Sequence, residues 1–446
     1  MSSTPGNHAT TGSGAISRKD ARTLFLTSLG GALEYYDFIV AVFFTKLLVT
    51  VFFPPEMPGW LAELQVFCIF AAGYLVRPIG GVFFAHFGDK IGRKQMFALT
   101  LFLMAAPTLL IGLLPTYHAI GLAAPLLFLF CRVLQGLSVG GEVPGAWIFC
   151  AEHVRSGRAG LACGILMSGL CSGMLLGSLS AKFLFVYFDT ATLESWAWRL
   201  PFILGGVFGL ISVYLRRYLR ETPVFEAIRA RREADSRPPL AVVLADHRRS
   251  ILMSVLLTWV YSGIFVLYFL YTPTFIQSHF GISATQAFSY NSWSILLLII
   301  GATFMGWLAD RIGVGRAYVM GCIAMLIVSV AFFYSLITGG SSTWSIYVIG
   351  GFFIATISLG PYMIIQSFPP QVRFTGFALS YNTAYAIFGG TAPALMALFA
   401  AENMLMAPAW YIAALCVLGV ILGIVWRARA TVGSTATSEL SVGAVT

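Results

Sequence analysis

The sequence predicts an all-α membrane protein of twelve transmembrane helices arranged as two pseudo-symmetric six-helix halves. Three observations lead there. The 446 residues are 58% hydrophobic and only 10% charged, with a mean hydropathy of +0.84, whereas soluble domains carry about 25% charged residues. Apolar stretches long enough to cross the hydrocarbon core, which takes about 20 helical residues, recur twelve times along the chain. A short polar motif after the second stretch also returns after the eighth.

Taken in order, residues 1–22 are mostly Ser, Thr, Gly and Ala, too poor in apolar side chains to form a core. They are expected to be a disordered cytoplasmic tail. A cleavable signal is not expected, because the following apolar segment is too long and contains an acidic pair. The first half, 23–219, holds spans at about 24–49, 62–86, 96–115, 121–148, 160–187 and 200–219. A polar, basic linker covers 220–249. The second half, 250–427, holds spans at about 250–277, 288–309, 317–338, 344–367, 376–400 and 408–426, and residues 428–446 form a second disordered tail.

The net charge of +9 could suggest a nucleic-acid partner, but its placement points to topology, since cytoplasmic loops collect Lys and Arg. Of the 27 basic residues, all but Lys46, Arg77, Arg132, Lys182 and Arg199 lie in the tails or in the loops after even-numbered spans. Both termini are therefore expected in the cytoplasm. Lys46, Lys182 and Arg199 fall near outer ends, where long basic side chains snorkel. Only Arg77 and Arg132 are deep. The seven cysteines all fall in apolar segments without CxxC or Cys/His spacing, the pattern of small reduced core residues and not of a metal site.

GDKIGRK at 88–94 is echoed by ADRIGVGR at 309–316, and Arg158-Ala-Gly before span 5 by Arg373-Phe-Thr-Gly before span 11. Two related halves with a site between them at mid-membrane suit alternating access by rocking. The loop GDKIGRKQ and the span-4 sequence RVLQG resemble signature motifs of the major facilitator superfamily. GALEYYDF at 31–38, VRPIGGVFFAHFGDKIGRK at 76–94, RVLQGLSVGGE at 132–142 and FPPQVRFTGFALSYNTAYAIFGGTAP at 368–393 resemble its metabolite:proton symporter family. Members of that family carry citrate, 2-oxoglutarate, shikimate or proline and betaine. The chain departs from it at Val143-Pro144, where an aromatic residue is common, and its short tail lacks the heptads of osmosensory members.

Arg132 is the residue that most needs a partner, because a charge at mid-bilayer costs at least about 2.5–3.5 kcal/mol. With a rise of about 1.5 Å per residue, Arg132 and Asp37 both lie roughly 3 Å outward of the midplane, and Glu34 lies near it. Glu34 and Asp37 are three apart and share a helical face. A carboxylate beside a permanent cation in low dielectric can switch protonation as the surroundings change, so Glu34, Asp37 and Arg132 are expected to form the proton-coupling site. The competing reading is a permanent ion pair that only fixes packing. The resemblance also implies a span-1 carboxylate opposite a span-4 Arg.

Arg77 and Arg132 are expected to bind a substrate carboxylate, with Gln135 on span 4 and a polar-aromatic set from the second half, Tyr261, Tyr381, Asn382 and Tyr385. Tyr271, beside Pro273, is expected in the outer interfacial belt. Gly88, Asp89, Arg93, Glu142, Glu152, Arg158, Asp310 and Arg373 are expected to close the cytoplasmic gate, the glycines permitting tight turns and Asp89 approaching a helix N-terminus. Glycines 160, 164, 169, 173 and 177 give span 5 a seam for close helix crossing.

The leading expectation is a secondary transporter in the bacterial cytoplasmic membrane, a monomer that imports a small organic acid such as a di- or tricarboxylate with protons. The alternatives are a proton-coupled carrier of a zwitterion of the proline or betaine type, or an efflux antiporter for metabolites or drugs. An enzyme is not expected, for the chain has no nucleotide loop, nucleophile constellation or metal cluster. No cofactor is expected beyond protons as the coupling ion.

Overall fold

A computed structural model describes residues 18–81, 83–84, 93–140, 142–154, 157–216 and 239–442. Among these the secondary structure is helical throughout. The helices at the twelve expected spans run Arg18–Phe43 with Thr45–Phe52, Gly59–Gly81, Arg93–Leu113, Ala123–Glu152, Ala159–Tyr187 and Leu200–Arg216, then Arg248–Phe280, Ala284–Ile312, Val314–Thr338, Thr343–Ser367, Arg373–Ala401 and Ala407–Val442; among the described residues nine, or ten with the bent first pair, are long and apolar enough to cross a membrane. They are numbered 1 to 12 below. The face carrying the span 2–3 and 4–5 connections is called inner, the opposite face outer.

The same packing occurs twice. Span 1 lies against 5, span 2 against 4 and span 3 against 6; span 7 lies against 11, span 8 against 10 and span 9 against 12. The halves meet along spans 5 and 8 and along spans 2 and 11. Outward-facing side chains such as Phe102, Leu126, Phe130, Leu210, Ile327 and Ile424 are exposed and apolar, as a lipid-facing surface requires.

Irregular helix marks where the chain has lost a backbone donor. Span 7 contains a π segment at Val266–Tyr271, span 10 a 3-10 segment at Ala355–Ser358 and span 11 a π segment at Tyr385–Gly389. Pro273, Pro361 and Pro393 follow these segments. Each proline cannot bond to the carbonyl four residues back, which falls at Phe269, Ile357 and Gly389, inside the irregular segment in every case. Span 1 bends by 64° between Phe43 and Thr45. There the Thr45 hydroxyl donates to the Val42 carbonyl at 2.7 Å, the back-bonding that bends helices.

Span 5 holds the molecule together through its glycines. A Cβ on Gly160 or Gly164 would lie 2.7 or 2.4 Å from the carbonyls of Gly306 or Ala302 on span 8, and one on Gly173 would lie 1.9 Å from the Ala32 carbonyl on span 1. Two expectations change. Within the linker, Pro239–Asp246 is a helix that buries Val243, because its Val/Leu-rich run has an apolar face to place. The second tail continues span 12 as helix to Val442, no proline intervening to stop it.

Candidate functional site

At mid-depth the two halves meet in a cluster of rings around a guanidinium. Span 2 ends its first segment at Leu75, and the turn at Val76 delivers Arg77, which is buried. The Arg77 Cζ lies 4.9 Å from the ring centre of Tyr74, 5.2 Å from Tyr385 and 5.4 Å from Phe38. Tyr74 and Tyr385 stack in parallel at 5.0 Å across the interface between the halves. Around them Tyr261 lies 6.0 Å from Tyr381 and 5.8 Å from Tyr385, and Tyr35 lies 6.0 Å from Phe265. The Nε of Arg77 is buried without a hydrogen-bond partner among the described residues.

Arg132 approaches the same Phe38 ring, at 4.8 Å, and Phe70 at 5.7 Å. Its Nη1 donates to the Phe38 carbonyl at 3.0 Å and to Gln135 Oε1 at 2.9 Å. Gln135 Nε2 donates in turn to Thr108 Oγ1 at 2.7 Å, and the Thr108 hydroxyl donates to the Met104 carbonyl at 3.0 Å. The Nε and Nη2 of Arg132 have no partner among the described residues. Guanidinium edges left open in a buried site are binding capacity for a planar anion such as a carboxylate.

Asp37 does not pair with Arg132. It is 1% exposed, and neither carboxylate oxygen has a hydrogen-bond partner among the described residues. Its surroundings are spans 3 and 6: a Cβ on Gly205 would meet Asp37 Oδ1 at 2.6 Å and Thr108 Cγ2 at 2.8 Å, and one on Gly209 would meet Asp37 Oδ2 at 3.1 Å. The expectation rested on matched depth, but azimuth decides. Successive helical residues point about 100° apart, so Phe38 faces Arg132 and span 2 while Asp37 faces away. Between the carboxylate and the guanidinium lie Thr108, whose methyl flanks the same point beside Gly205 as Asp37 Oδ1, and Gln135, which is bonded to both Thr108 and Arg132. Glu34 is half-buried one turn nearer the inner face.

Asn382 is buried, and its Oδ1 has no hydrogen-bond partner among the described residues. Its Nδ2 donates to the Gly140 carbonyl in a short hydrogen bond, so it ties span 11 to span 4 just inward of the ring cluster. Tyr271 is buried between Phe67 and Phe275, at 5.6 and 5.5 Å, and not in an interfacial belt. Sequence reasoning missed Phe38, Phe70, Tyr74 and Thr108. Tyr74 had a signal, three residues before Arg77 and so on its face; Thr108 had none.

Both ends of the cluster are closed. On the inner face Arg373 Nη1 lies 2.6 Å from Glu152 Oε1. The Asp310 carboxylate accepts from the backbone amides of Gly160 at 2.9 Å and Leu161 at 2.8 Å, where the positive end of the span 5 helix dipole favours an anion. Arg158 occupies the residue before that helix and is half-buried. Gly88 and Asp89 lie outside the described residues, as do the side chains of Arg93 and Glu142. On the outer face Ser278 donates to Glu63 Oε1 at 2.8 Å across the halves. A small cleft there is lined by Trp60, Glu63, Tyr271, Phe275, His279 and Ala397, among others.

Two helix bundles with the same packing around a buried polar site, in contact with each other at both faces, are the arrangement that alternating access requires. The profile of the Major Facilitator Superfamily matches residues 27–393, and the chain belongs to that family. A glycine betaine/proline/ectoine/pipecolic acid transporter, OusA, from Dickeya dadantii (strain 3937) is 31% identical over 426 residues, 92% of this chain and 83% of that one. A proline/betaine transporter from Salmonella typhimurium (strain LT2) is 30% identical over 421 residues, 90% and 82% of the two chains. The structure of the proton:xylose symporter XylE bound to 6-bromo-6-deoxy-D-glucose superposes with a TM-score of 0.74 at 17% identity, covering 92% of this chain and 95% of that one. The protein is thus a multi-pass membrane transporter and not an enzyme.

Proposed function

We propose that the protein is a proton-coupled symporter for a small zwitterion, one carboxylate joined to a quaternary or ring ammonium, of the betaine or proline kind. The observation that carries the reading is the ring cluster around Arg77. The open Arg77 edge takes the carboxylate, and the faces of Tyr74, Tyr385 and Tyr261 take the cationic head, since aromatic faces attract cations within about 6 Å of the ring centre. Two of those rings, Tyr74 and Tyr385, hold the Arg77 guanidinium at 4.9 and 5.2 Å.

Charge counting weighs against the tricarboxylate first expected, and the choice of a zwitterion over a dicarboxylate rests on the ring cluster and on the relatives. Among the described residues the fully buried charged side chains are Asp37, Arg77 and Arg132, and Arg132 already spends Nη1 on protein acceptors. Two guanidiniums, one of them partly engaged, leave a tricarboxylate with uncompensated charge in low dielectric. The names of the two relatives point the same way.

Asp37 is the proton carrier in this reading. An ionised carboxylate with both oxygens buried and unpaired is expensive, and neutralisation is the way out. Protons are then the coupling ion and no cofactor is required. The protein works as a monomer in the cytoplasmic membrane with both termini inside, the arrangement its basic loops favour. Thermal unfolding of the purified protein tests the substrate class: glycine betaine and proline raise the Tm with concentration, and citrate and 2-oxoglutarate do not. Stabilisation by the di- and tricarboxylates alone returns the substrate to the organic acids.

A further inference from the structure

We propose that Thr108 is a rotameric switch that reports the protonation of Asp37 to Arg132 through Gln135, making Thr108 and Gln135 positioning residues for coupling. The inference rests on the symport reading above. Asp37 and Arg132 share no hydrogen bond, so coupling between them needs a carrier. The hydrogen bonds from Arg132 to Gln135 at 2.9 Å and from Gln135 to Thr108 at 2.7 Å supply two of its links. The third is poised. Thr108 Cγ2 and Asp37 Oδ1 flank the same point beside Gly205, at 2.8 and 2.6 Å.

Oγ1 and Cγ2 of a threonine sit on one carbon, so a step of about 120° in χ1 puts the hydroxyl near the place the methyl now holds. Helical threonines populate two rotamers because one lets Oγ1 bond a carbonyl of the preceding turn, which is the bond Thr108 makes to Met104. With Asp37 protonated, that rotamer is satisfied and Gln135 keeps Arg132 Nη1. When Asp37 ionises it lacks a donor, and the Thr108 hydroxyl turns to it, withdrawing the acceptor from Gln135 Nε2. Gln135 then re-pairs, and its hold on Arg132 changes. The charged and titratable groups acting on Asp37 come from its own helix, Glu34 and Tyr36. Span 3 presents Ala105 and Thr108 to this pocket, and span 6 presents Gly205 and Gly209, so no second titratable partner competes for the role among these contacts.

The test uses the full-length protein in proteoliposomes with labelled glycine betaine, comparing exchange at equal pH with accumulation driven by an inward proton gradient. Thr108→Val keeps the shape and removes the hydroxyl; Thr108→Ser keeps the hydroxyl. The expected result is a ratio of gradient-driven accumulation to each variant's own exchange that is lowered about tenfold in the Val variant, the scale of one hydrogen bond, and restored in the Ser variant. In the Val variant the acid limb of the pH profile of exchange also moves. Wild-type accumulation by Thr108→Val overturns the switch. Parallel loss of exchange and accumulation that Ser does not restore also overturns it, since that is a packing defect. A wild-type protein that accumulates no betaine under any gradient overturns the symport reading itself, and the switch with it.

Discussion

Arg77 and Arg132 touch opposite sides of one problem: both lie within 5.4 Å of the Phe38 ring centre, yet only Arg77 reaches the tyrosines of the second half. Arg77→Ala is expected to abolish betaine binding, while Arg77→Lys keeps charge without the bidentate fork and retains weak binding, as calorimetric titration will measure. Tyr385→Phe leaves the ring face and binds nearly as wild type; Tyr385→Leu loses about 1–2 kcal/mol, roughly tenfold in Kd. Asp37→Asn is expected to keep exchange and lose gradient-driven accumulation. The sequence disclosed which charges are deep, because charge in an apolar run is conspicuous. It did not disclose their pairing. Depth follows from helix rise, but the facing of Asp37 toward Gly205 and Gly209 depends on how span 6 packs, which no local pattern encodes.

At the scale of helices, glycine positions matter more than propensity. Gly173→Val is expected to force spans 1 and 5 apart, since even its Cβ would lie 1.9 Å from the Ala32 carbonyl. The cost is about 1–3 kcal/mol or more, read as a lowered unfolding temperature in detergent. Gly59→Ala meets nothing within 4 Å and is expected to unfold as wild type does. The seam in span 5 was legible from its spacing, and so were the nine helices, ten with the bent pair, that are long and apolar enough to cross a membrane among the described residues. The π segments of spans 7 and 11 were half legible. Pro273 and Pro393 announced a missing donor, but whether the helix answers with a kink, a 3-10 turn or a π turn is settled by neighbours. Those segments carry Tyr268, Tyr271 and Tyr385, so the irregularity sets where rings of the site and the outer closure point.

At the scale of the whole molecule, the halves are latched at both faces, by Glu152–Arg373 and Asp310 inside and by Glu63–Ser278 outside. Alternating access then means releasing one set while keeping the other. Each inner contact contributes modestly, about 1 kcal/mol for a partly exposed pair and a similar amount for a carboxylate at a helix N-terminus, so single changes shift populations without unfolding. Asp310→Asn is expected to speed hydrogen exchange at the amides of Gly160 and Leu161 by roughly fivefold, the factor that 1 kcal/mol gives, with peptides around Thr274–Phe280 unchanged. Equal acceleration at both faces would mean the latches do not act separately.

The central claim, a proton-driven carrier for a zwitterion, is tested most directly by one uptake measurement. Protein reconstituted in proteoliposomes is given labelled glycine betaine or labelled 2-oxoglutarate, with and without an inward proton gradient. Glycine betaine is predicted to accumulate above equilibrium only when the gradient is present, and 2-oxoglutarate not to accumulate. Accumulation of 2-oxoglutarate in place of betaine, or betaine uptake indifferent to the gradient, would contradict the account.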